Sequence, residues 1–201
     1  MRQQDRARMT YDLVLGAAAA EFALHGFAGT NLADITARTG LTKGALYGHF
    51  SSKADLAGEL TRSFEAAWAD ALATAAGEAE ESGAALPVLR RLLLDLARRV
   101  SEDVPFAAGL RLVMDAARAE ETVPVHLGRL CGVVALLIRR GQEEGSIRTA
   151  HPAEPLARLV VALLVGAPAV VTAADGTGPA ELVSEVWDVL EPALSGAGGG
   201  D

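Results

Sequence analysis

Five residues within one short stretch are suited to contacts with a DNA duplex, four through their side chains and Gly44 through its backbone: Thr42, Lys43, Gly44, Tyr47 and His49. Threonine, tyrosine and histidine are residue types that hold phosphate oxygens, and a lysine at the start of a helix can reach guanine acceptors in the major groove. Glycine costs about 1 kcal/mol of helix propensity relative to alanine, a cost that close approach of the backbone to DNA would explain. A packed three-helix module with a merely polar face is the alternative.

The other reactive side chains do not form a recognisable catalytic or metal-binding pattern. The four histidines are scattered, and none has metal-ligand spacing with another histidine, a cysteine or a carboxylate. Cys131 falls on the apolar face of its helix, where an inert buried thiol is expected. His126 lies about one turn before it, which leaves a Cys/His enzyme as a remote alternative without an oxyanion-hole loop or a third partner. We therefore predict no catalytic residue, no metal, no cofactor and no enzyme activity.

Three short helices are expected to position the polar stretch. The first runs from about Arg6 to Leu24 and ends at Gly26, which suits a left-handed cap. The second begins after Thr30 or Asn31 and runs through Thr39. After the turn at 40–42, the third covers about Lys43 to Phe50. Two short helices joined by a glycine-containing turn and packed on a preceding helix predict a helix-turn-helix.

The rest of the chain also reads as helix, so the predicted fold class is all-α. A fourth helix follows Ser51-Ser52 and fades near 81–83, and five more follow up to residue 194, with a kink expected at Pro168. The predicted organisation is a helix-turn-helix domain over 1–52, a helical ligand-binding and dimerisation domain over 53–194, and a Gly-rich disordered tail over 195–201.

Charge is distributed unevenly along the chain. The net charge is −8, yet residues 1–62 carry seven Lys/Arg against six Asp/Glu, and the remainder carries eleven against twenty. Both lysines, Lys43 and Lys53, lie in the first part, as expected of a protein that touches a polyanion at one end. The start of the chain holds no apolar signal core, and the longest apolar run, 159–171, is too short to span a bilayer. These features predict a cytoplasmic protein without a membrane partner.

The stretches Phe27–Ile35 and Gly40–Lys53 resemble the TetR family of bacterial regulators in the order and spacing of turn, recognition helix and capping segment. The resemblance implies a homodimeric repressor on a palindromic double-stranded DNA operator. It also implies that Lys43 and Gly44 face bases. The residues that it assigns to phosphates are Thr30, Thr42, Tyr47, His49 and Lys53.

A finer resemblance involves Leu41–Tyr47 together with Ala107–Val113, which look like the γ-butyrolactone receptors that control antibiotic production in streptomycetes. Those receptors commonly carry a tryptophan on the seventh helix, whereas residues 121–141 here contain none. A γ-butyrolactone and a different signal therefore both remain open as ligands.

A small-molecule effector is expected in the body of the protein. Apolar residues on facing stripes of the fourth to seventh helices could line a cavity for a neutral, largely apolar ligand, although each also suits an ordinary core. The alternative is a regulator without a ligand, controlled by a partner protein or constitutive. The candidate lining residues are Phe64, Trp68, Leu93, Phe106, Leu110, Met114, Leu130 and Val134.

The last two helices are the expected homodimer interface. The eighth is apolar around most of its circumference, which is more than one core face requires. It could instead be the central core helix of a monomer. The fourth helix, which runs from the DNA end at Ser52 to Trp68, is the expected lever between ligand and DNA.

Overall fold

The structure is a computed structural model that describes residues 2–170 and 178–196, and every regular element within these residues is an α-helix. The predicted all-α fold class is confirmed. The helices are α1 (Arg2–Gly29), α2 (Leu32–Thr39), α3 (Lys43–Tyr47), α4 (Lys53–Ser82), α5 (Ala85–Glu102), α6 (Val104–Ala119), α7 (Val125–Glu144), α8 (Ala153–Val170) and α9 (Pro179–Ser195). None of these helices combines the length and the hydropathy needed to cross a membrane.

Two of the predicted helix boundaries were wrong. Helix α1 starts at Arg2, earlier than the expected Arg6. The break expected at Gly26 is present: the backbone there is non-helical (φ 67°, ψ −176°) and separates the long part of α1 from a last short helical piece that ends at Gly29. Helix α3 ends at Tyr47 rather than at Phe50, and Gly48 follows as its C-cap with its N–H bonded to the carbonyl of Gly44.

Side-chain and glycine caps fix the ends of the short helices. The Asn31 side chain accepts a hydrogen bond from the N–H of Asp34 at the start of α2. Gly40 closes that helix in the left-handed conformation, with its N–H bonded to Thr36. The Thr42 hydroxyl oxygen accepts from the N–H of Ala45 and starts α3 two residues later. These local bonds set the tight turn between the two helices.

The described residues pack as two compact units. The first holds the residues up to Ala67 together with Glu102–Pro124, so α6 belongs with the three N-terminal helices. The second holds Trp68–Ser101 and the described residues from Val125 onward. The boundary predicted after residue 52 separates the first three helices from the rest of the chain, and it stays a prediction.

The core of the first unit joins α1, α2 and α3 to the start of α4 and to α6. Its most buried side chains include Val14, Phe22, Ile35, Leu46, Leu56, Leu60 and Ala108. Helix α6 lies so close to α4 that a Cβ at Gly109 would stand 2.9 Å from the carbonyl oxygen of Leu60 and closer still to Phe64. Glycine at this position is therefore required by packing.

The second unit is built on a leucine-rich stripe of α5, which packs inward. Its buried side chains include Leu89, Leu93, Leu96, Leu130, Val134, Leu137, Ile138, Val160 and Trp187. Cys131 on α7 was expected to be buried, but it is partly exposed, because the buried stripe passes through its neighbour Leu130 and through Val134. The kink at Pro168 stays a prediction, and the predicted tail lies beyond Gly196 outside the described residues.

Candidate nucleic-acid interface

The five residues singled out around α3 lie together on one exposed surface. Leu46 and Phe50 are buried and anchor the segment in the core of the first unit. Thr42, Lys43, Gly44 and His49 are exposed, and Tyr47 is 53% exposed. Because α3 is only five residues long, this anchoring leaves its opposite side as a compact polar edge. We call this edge, Thr42–His49, the reading edge.

The chemistry of the reading edge is that of a hydrogen-bond donor surface. The Thr42 hydroxyl uses its oxygen as the cap of α3, which leaves its hydrogen to donate. Lys43 adds a positive charge at the start of the helix. A Cβ at Gly44 would meet only the Thr42 hydroxyl oxygen, at 3.9 Å, so packing within the protein does not require glycine there. Close approach of an outside molecule does explain it.

Tyr11 of α1 braces the end of the reading edge. Its ring stacks on Phe50 with centroids 4.9 Å apart and meets His49 edge-on at 6.3 Å. Burial and the neighbouring Glu59 carboxylate, which accepts a hydrogen bond from the phenol, raise the pKa of Tyr11 above its ordinary value. Tyr11 therefore remains protonated and fixed, and it was missed at the sequence level because 38 residues of chain separate it from His49.

Thr30 and Lys53 occupy different surroundings from the reading edge. Thr30 is 2% exposed, and its hydroxyl donates to the carbonyl of Gly26 at 2.8 Å. The Lys53 ammonium donates to the carbonyls of Phe27 and Thr30, each at 2.7 Å, and lies 4.4 Å from the centroid of the Phe27 ring. Cations are favourable at helix C-termini, where carbonyls lack helical partners. Both side chains thus tie the end of α1 to its neighbours, and their contact with phosphates stays a prediction.

A contact between Arg38 and Glu21 also holds α2 against α1. The Glu21 carboxylate is buried and accepts a hydrogen bond from Arg38 Nε at 2.9 Å, and Arg38 Nη2 forms an ion pair with the same carboxylate oxygen at 2.8 Å. His25 lies 3.8 Å from the same carboxylate. Charge-assisted bonds of this kind are stronger than neutral ones. No sequence pattern indicated this pair, because its partners are on different helices.

The residues predicted to line a ligand cavity divide between the two units. Phe64, Phe106, Leu110 and Met114 belong to the first unit, where the rings of Phe64 and Phe106 pack edge-to-face at 5.0 Å. The members in the second unit are Trp68, Leu93, Leu130 and Val134. All eight are buried or partly buried. Their role toward a ligand stays a prediction.

An apolar cavity of about 250 Å³ lies within the second unit, between α5, α8 and α9. Leu93 is the one predicted lining residue that it shares. Trp187 forms part of its wall and donates its indole N–H to Glu191 at 2.6 Å. Helices α8 and α9 were expected to face a second protomer, so sequence reasoning did not assign them a cavity.

Within residues 2–170 and 178–196, no cluster of three histidine, cysteine or acidic side chains is arranged to hold a metal. His49 and His126, for example, lie in different units. The chemistry available at the reading edge is therefore hydrogen bonding and charge.

Comparison with known proteins adds to this geometry. Residues 14–60, which include the second half of α1, all of α2 and α3 and the reading edge, match the model of the bacterial regulatory proteins of the tetR family. The A-factor receptor protein of Streptomyces griseus is 28% identical over 201 residues, which cover 98% of this chain and 68% of that protein. The chain is therefore similar to bacterial regulatory proteins of the tetR family.

Another relative of the tetR family is the transcriptional regulator TtgR of Pseudomonas putida, 38% identical over 95 residues. This match covers 47% of the chain and 44% of TtgR, so the chain spans less than half the length of the first curated relatives that it matches. The family and these relatives are named as regulators and receptors, in agreement with the prediction that the chain is not an enzyme.

Solved structures share the fold over nearly the whole chain. A γ-butyrolactone receptor described as an ArpA-like protein superposes with a TM-score of 0.73 at 25% identity, covering 92% of this chain and 87% of that one. The tetR-family protein CprB of Streptomyces coelicolor, in complex with its operator, superposes with a TM-score of 0.71 at 27% identity, covering 94% and 90%. The resemblance to the γ-butyrolactone receptor subgroup therefore extends beyond the N-terminal helices.

Proposed function

We propose that this protein is a transcriptional repressor that binds double-stranded DNA through the reading edge. The observation that carries the proposal is the exposed, cation-bearing side of a capped and braced five-residue helix, at the positions where the tetR family model matches. Lys43 and Gly44 face bases, and Thr42, Tyr47 and His49 hold phosphates. CprB, a structural neighbour that was solved with its operator, supports DNA binding by similarity.

The proposed repressor acts as a homodimer on a palindromic operator, with α8 and α9 at the interface. A two-fold dimer presents two helix-turn-helix domains at a fixed spacing and so matches the symmetry of a palindromic operator. Large apolar side chains on these helices remain exposed in the single chain, which supports an interface there. They are Leu159, Leu163, Val165 and Val189.

The proposed effector is a small, largely apolar molecule that releases the repressor from DNA. The cavity between α5, α8 and α9 supports this proposal, because its lining is almost entirely apolar. Relatives named as receptors for A-factor and γ-butyrolactones suggest a ligand of that type. A regulator that responds to a partner protein, or to none, is the second candidate, favoured by the buried state of the eight predicted lining residues.

Release requires the ligand to favour a conformation in which the two helix-turn-helix domains of the dimer no longer fit the operator. A ligand that binds both conformations equally well does not shift the equilibrium between them. Helix α4 is the proposed lever. It is a single helix of 30 residues that begins at Lys53, shortly after α3, and continues past Trp68.

Selection of duplexes from random DNA by the purified protein tests the DNA-binding function. We expect enrichment of one palindromic sequence whose affinity falls as salt is raised, because protein cations replace condensed counterions. Failure to enrich any duplex, or binding that ignores salt, would overturn the proposal.

The enriched duplex then serves to test the effector. γ-Butyrolactones with different acyl chains are added to the complex, and release is followed by fluorescence anisotropy. A ligand that binds the protein without lowering operator affinity would refute the lever. Absence of release by the whole series would favour the second candidate.

A further inference from the structure

The first two turns of α1 extend beyond the core of the first unit. Every described side chain from Gln4 to Met9 is exposed, and the first fully buried residue of the helix is Val14. The helix nevertheless begins at Arg2. With a rise of about 1.5 Å per residue, the segment from Gln4 to Thr10 extends about 9 Å, and its side chains bury almost nothing. Burial in the core does not account for these turns.

The same turns carry cations without carboxylate partners. Among the described residues, neither Arg6 nor Arg8 forms an ion pair, and Asp5 is the only acid in residues 1–10. Eight arginines from position 62 onward do pair with carboxylates: Arg62, Arg90, Arg91, Arg98, Arg111, Arg118, Arg139 and Arg140. The positive charge at the start of α1 is therefore available to an outside anion.

This positive segment adjoins the reading edge. Arg8 precedes Tyr11 by three residues, so the two side chains lie on the same face of α1, one turn apart. Tyr11 in turn contacts His49 and stacks on Phe50. An arginine side chain at position 8 thus stands beside the end of the reading edge and extends the same surface.

We propose that Arg6 and Arg8 form a second DNA-contacting segment that holds phosphates beside those reached by the reading edge. The inference rests on the proposed DNA-binding function and deepens it. A guanidinium suits phosphate because it offers several N–H donors in a planar fork. Phosphate contacts position a protein without reading sequence. The segment therefore strengthens binding to every duplex while leaving the choice of operator to α3.

The test measures affinity at several salt concentrations for the enriched duplex and for a scrambled one. For R6A/R8A, we expect the slope of log K against log salt to become shallower by about 1.8 per head, since each phosphate contact contributes about 0.9. Raising salt from 50 to 200 mM should then weaken the variant about tenfold less per head than the original protein. The ratio between the two duplexes should not change.

Two matched variants make the result specific. R6K/R8K keeps the charge and should retain the slope. R129A removes an exposed arginine of α7 that likewise lacks a described ion pair, and it should also leave the slope unchanged. Helix content measured by circular dichroism confirms that each variant is folded.

A shortened duplex provides a second measurement. The duplex is shortened by removing the base pairs that flank the selected operator sequence. On this shortened duplex, R6A/R8A and the original protein should bind with the same affinity, because the phosphates held by Arg6 and Arg8 have been removed. An unchanged slope in R6A/R8A, with the original protein still binding DNA in a salt-sensitive way, overturns this inference and leaves the proposed function intact. Absence of salt-sensitive binding by the original protein overturns both.

Discussion

The N-terminal head, residues 2–52, and the second packing unit use their cations in different ways. In the second unit, Arg90, Arg139 and Arg140 reach carboxylates on other helices and help to hold those helices together. In the head, Arg38 pairs with Glu21, whereas Lys43, Arg6 and Arg8 are exposed without a described ion pair. A net charge of −8 therefore conceals a surface that is positive where DNA is proposed to bind.

The two packing units also differ in how closely their helices approach one another. In the first unit, α6 and α4 leave no room for a single methyl group at Gly109. The second unit contains a cavity of about 250 Å³. A close-packed interior transmits displacement and keeps its shape, whereas a cavity can accept a guest. The contrast fits the proposal that the first unit binds DNA rigidly and that the second unit accommodates a ligand.

Paired glycine substitutions give the largest expected effect on this contrast. Gly109→Ala forces α6 away from α4, and overpacking of this kind costs about 1–3 kcal/mol. Gly132→Ala on α7 places its methyl group in open space and should stabilise by about 0.5–1 kcal/mol through helix propensity. Urea unfolding of both variants measures the difference. Equal effects would show that the first unit is no more tightly packed than the second.

Two equally exposed valines test the proposed interface of the second unit. Val189 on α9 is 76% exposed, and Val123 between α6 and α7 is 79% exposed. Val189→Glu should weaken the dimer about 30-fold, because in a two-fold interface the new charges lie in a desolvated contact. Val123→Glu should leave association unchanged. Sedimentation velocity over a concentration series measures both, and similar dissociation constants for the two variants would place the interface elsewhere.

Two substitutions in the reading edge separate base contacts from phosphate contacts. Lys43→Ala should relax the preference at one operator position by about tenfold, within the 1–3 kcal/mol typical of a specific base contact. Tyr47→Phe should weaken all duplexes alike, because a lost phosphate contact carries no sequence information. Binding to a panel of single-base operator variants measures both. A uniform loss for Lys43→Ala would contradict its assignment to bases.

The smallest expected effect concerns pH at the start of α4, which joins head and body. Hydrogen bonds from Ser51 and Ser52 lower the pKa of Asp55 below its usual 3.8. The lowered pKa stabilises the fold above about pH 4, and this stabilisation is lost as pH falls through the folded pKa. The difference in urea midpoint between the original protein and Asp55→Asn should therefore shrink below pH 4. Asp70→Asn, an exposed acid further along α4, is the control, and a gap that stays constant from pH 6 down to the acid limit of the folded protein would contradict the cap.

Much of the head could be predicted from its sequence because its signals are local. Asn31, Gly40 and Thr42 are helix-capping residues whose bonds reach only three or four residues along the chain. Such signals located α2 and the start of α3. The end of α3 was less certain, because Gly48–Phe50 continues with turn-like bonds that differ little from helix.

Contacts between distant residues were not predictable in this way. Lys53 bonds the carbonyls at the end of α1, 23 and 26 residues earlier, and this contact gives a structural role to a side chain assigned to phosphate by resemblance. The bend at Gly26 depends on the same surroundings, since Arg111 of α6 donates to the carbonyls of Ala23 and Leu24 just before it. A left-handed glycine alone does not reveal whether a helix resumes after it.

The sequence by itself determined the helical class, the order of the helices and the polar character of the reading edge, because helix periodicity and caps act over a few residues. Only the tertiary structure decided which helices share a core and where a cavity remains. It joined α6 to the head and located the empty space between α5, α8 and α9. Packing depends on the shapes of side chains that meet from distant parts of the chain, and no local pattern encodes how well those shapes fill space.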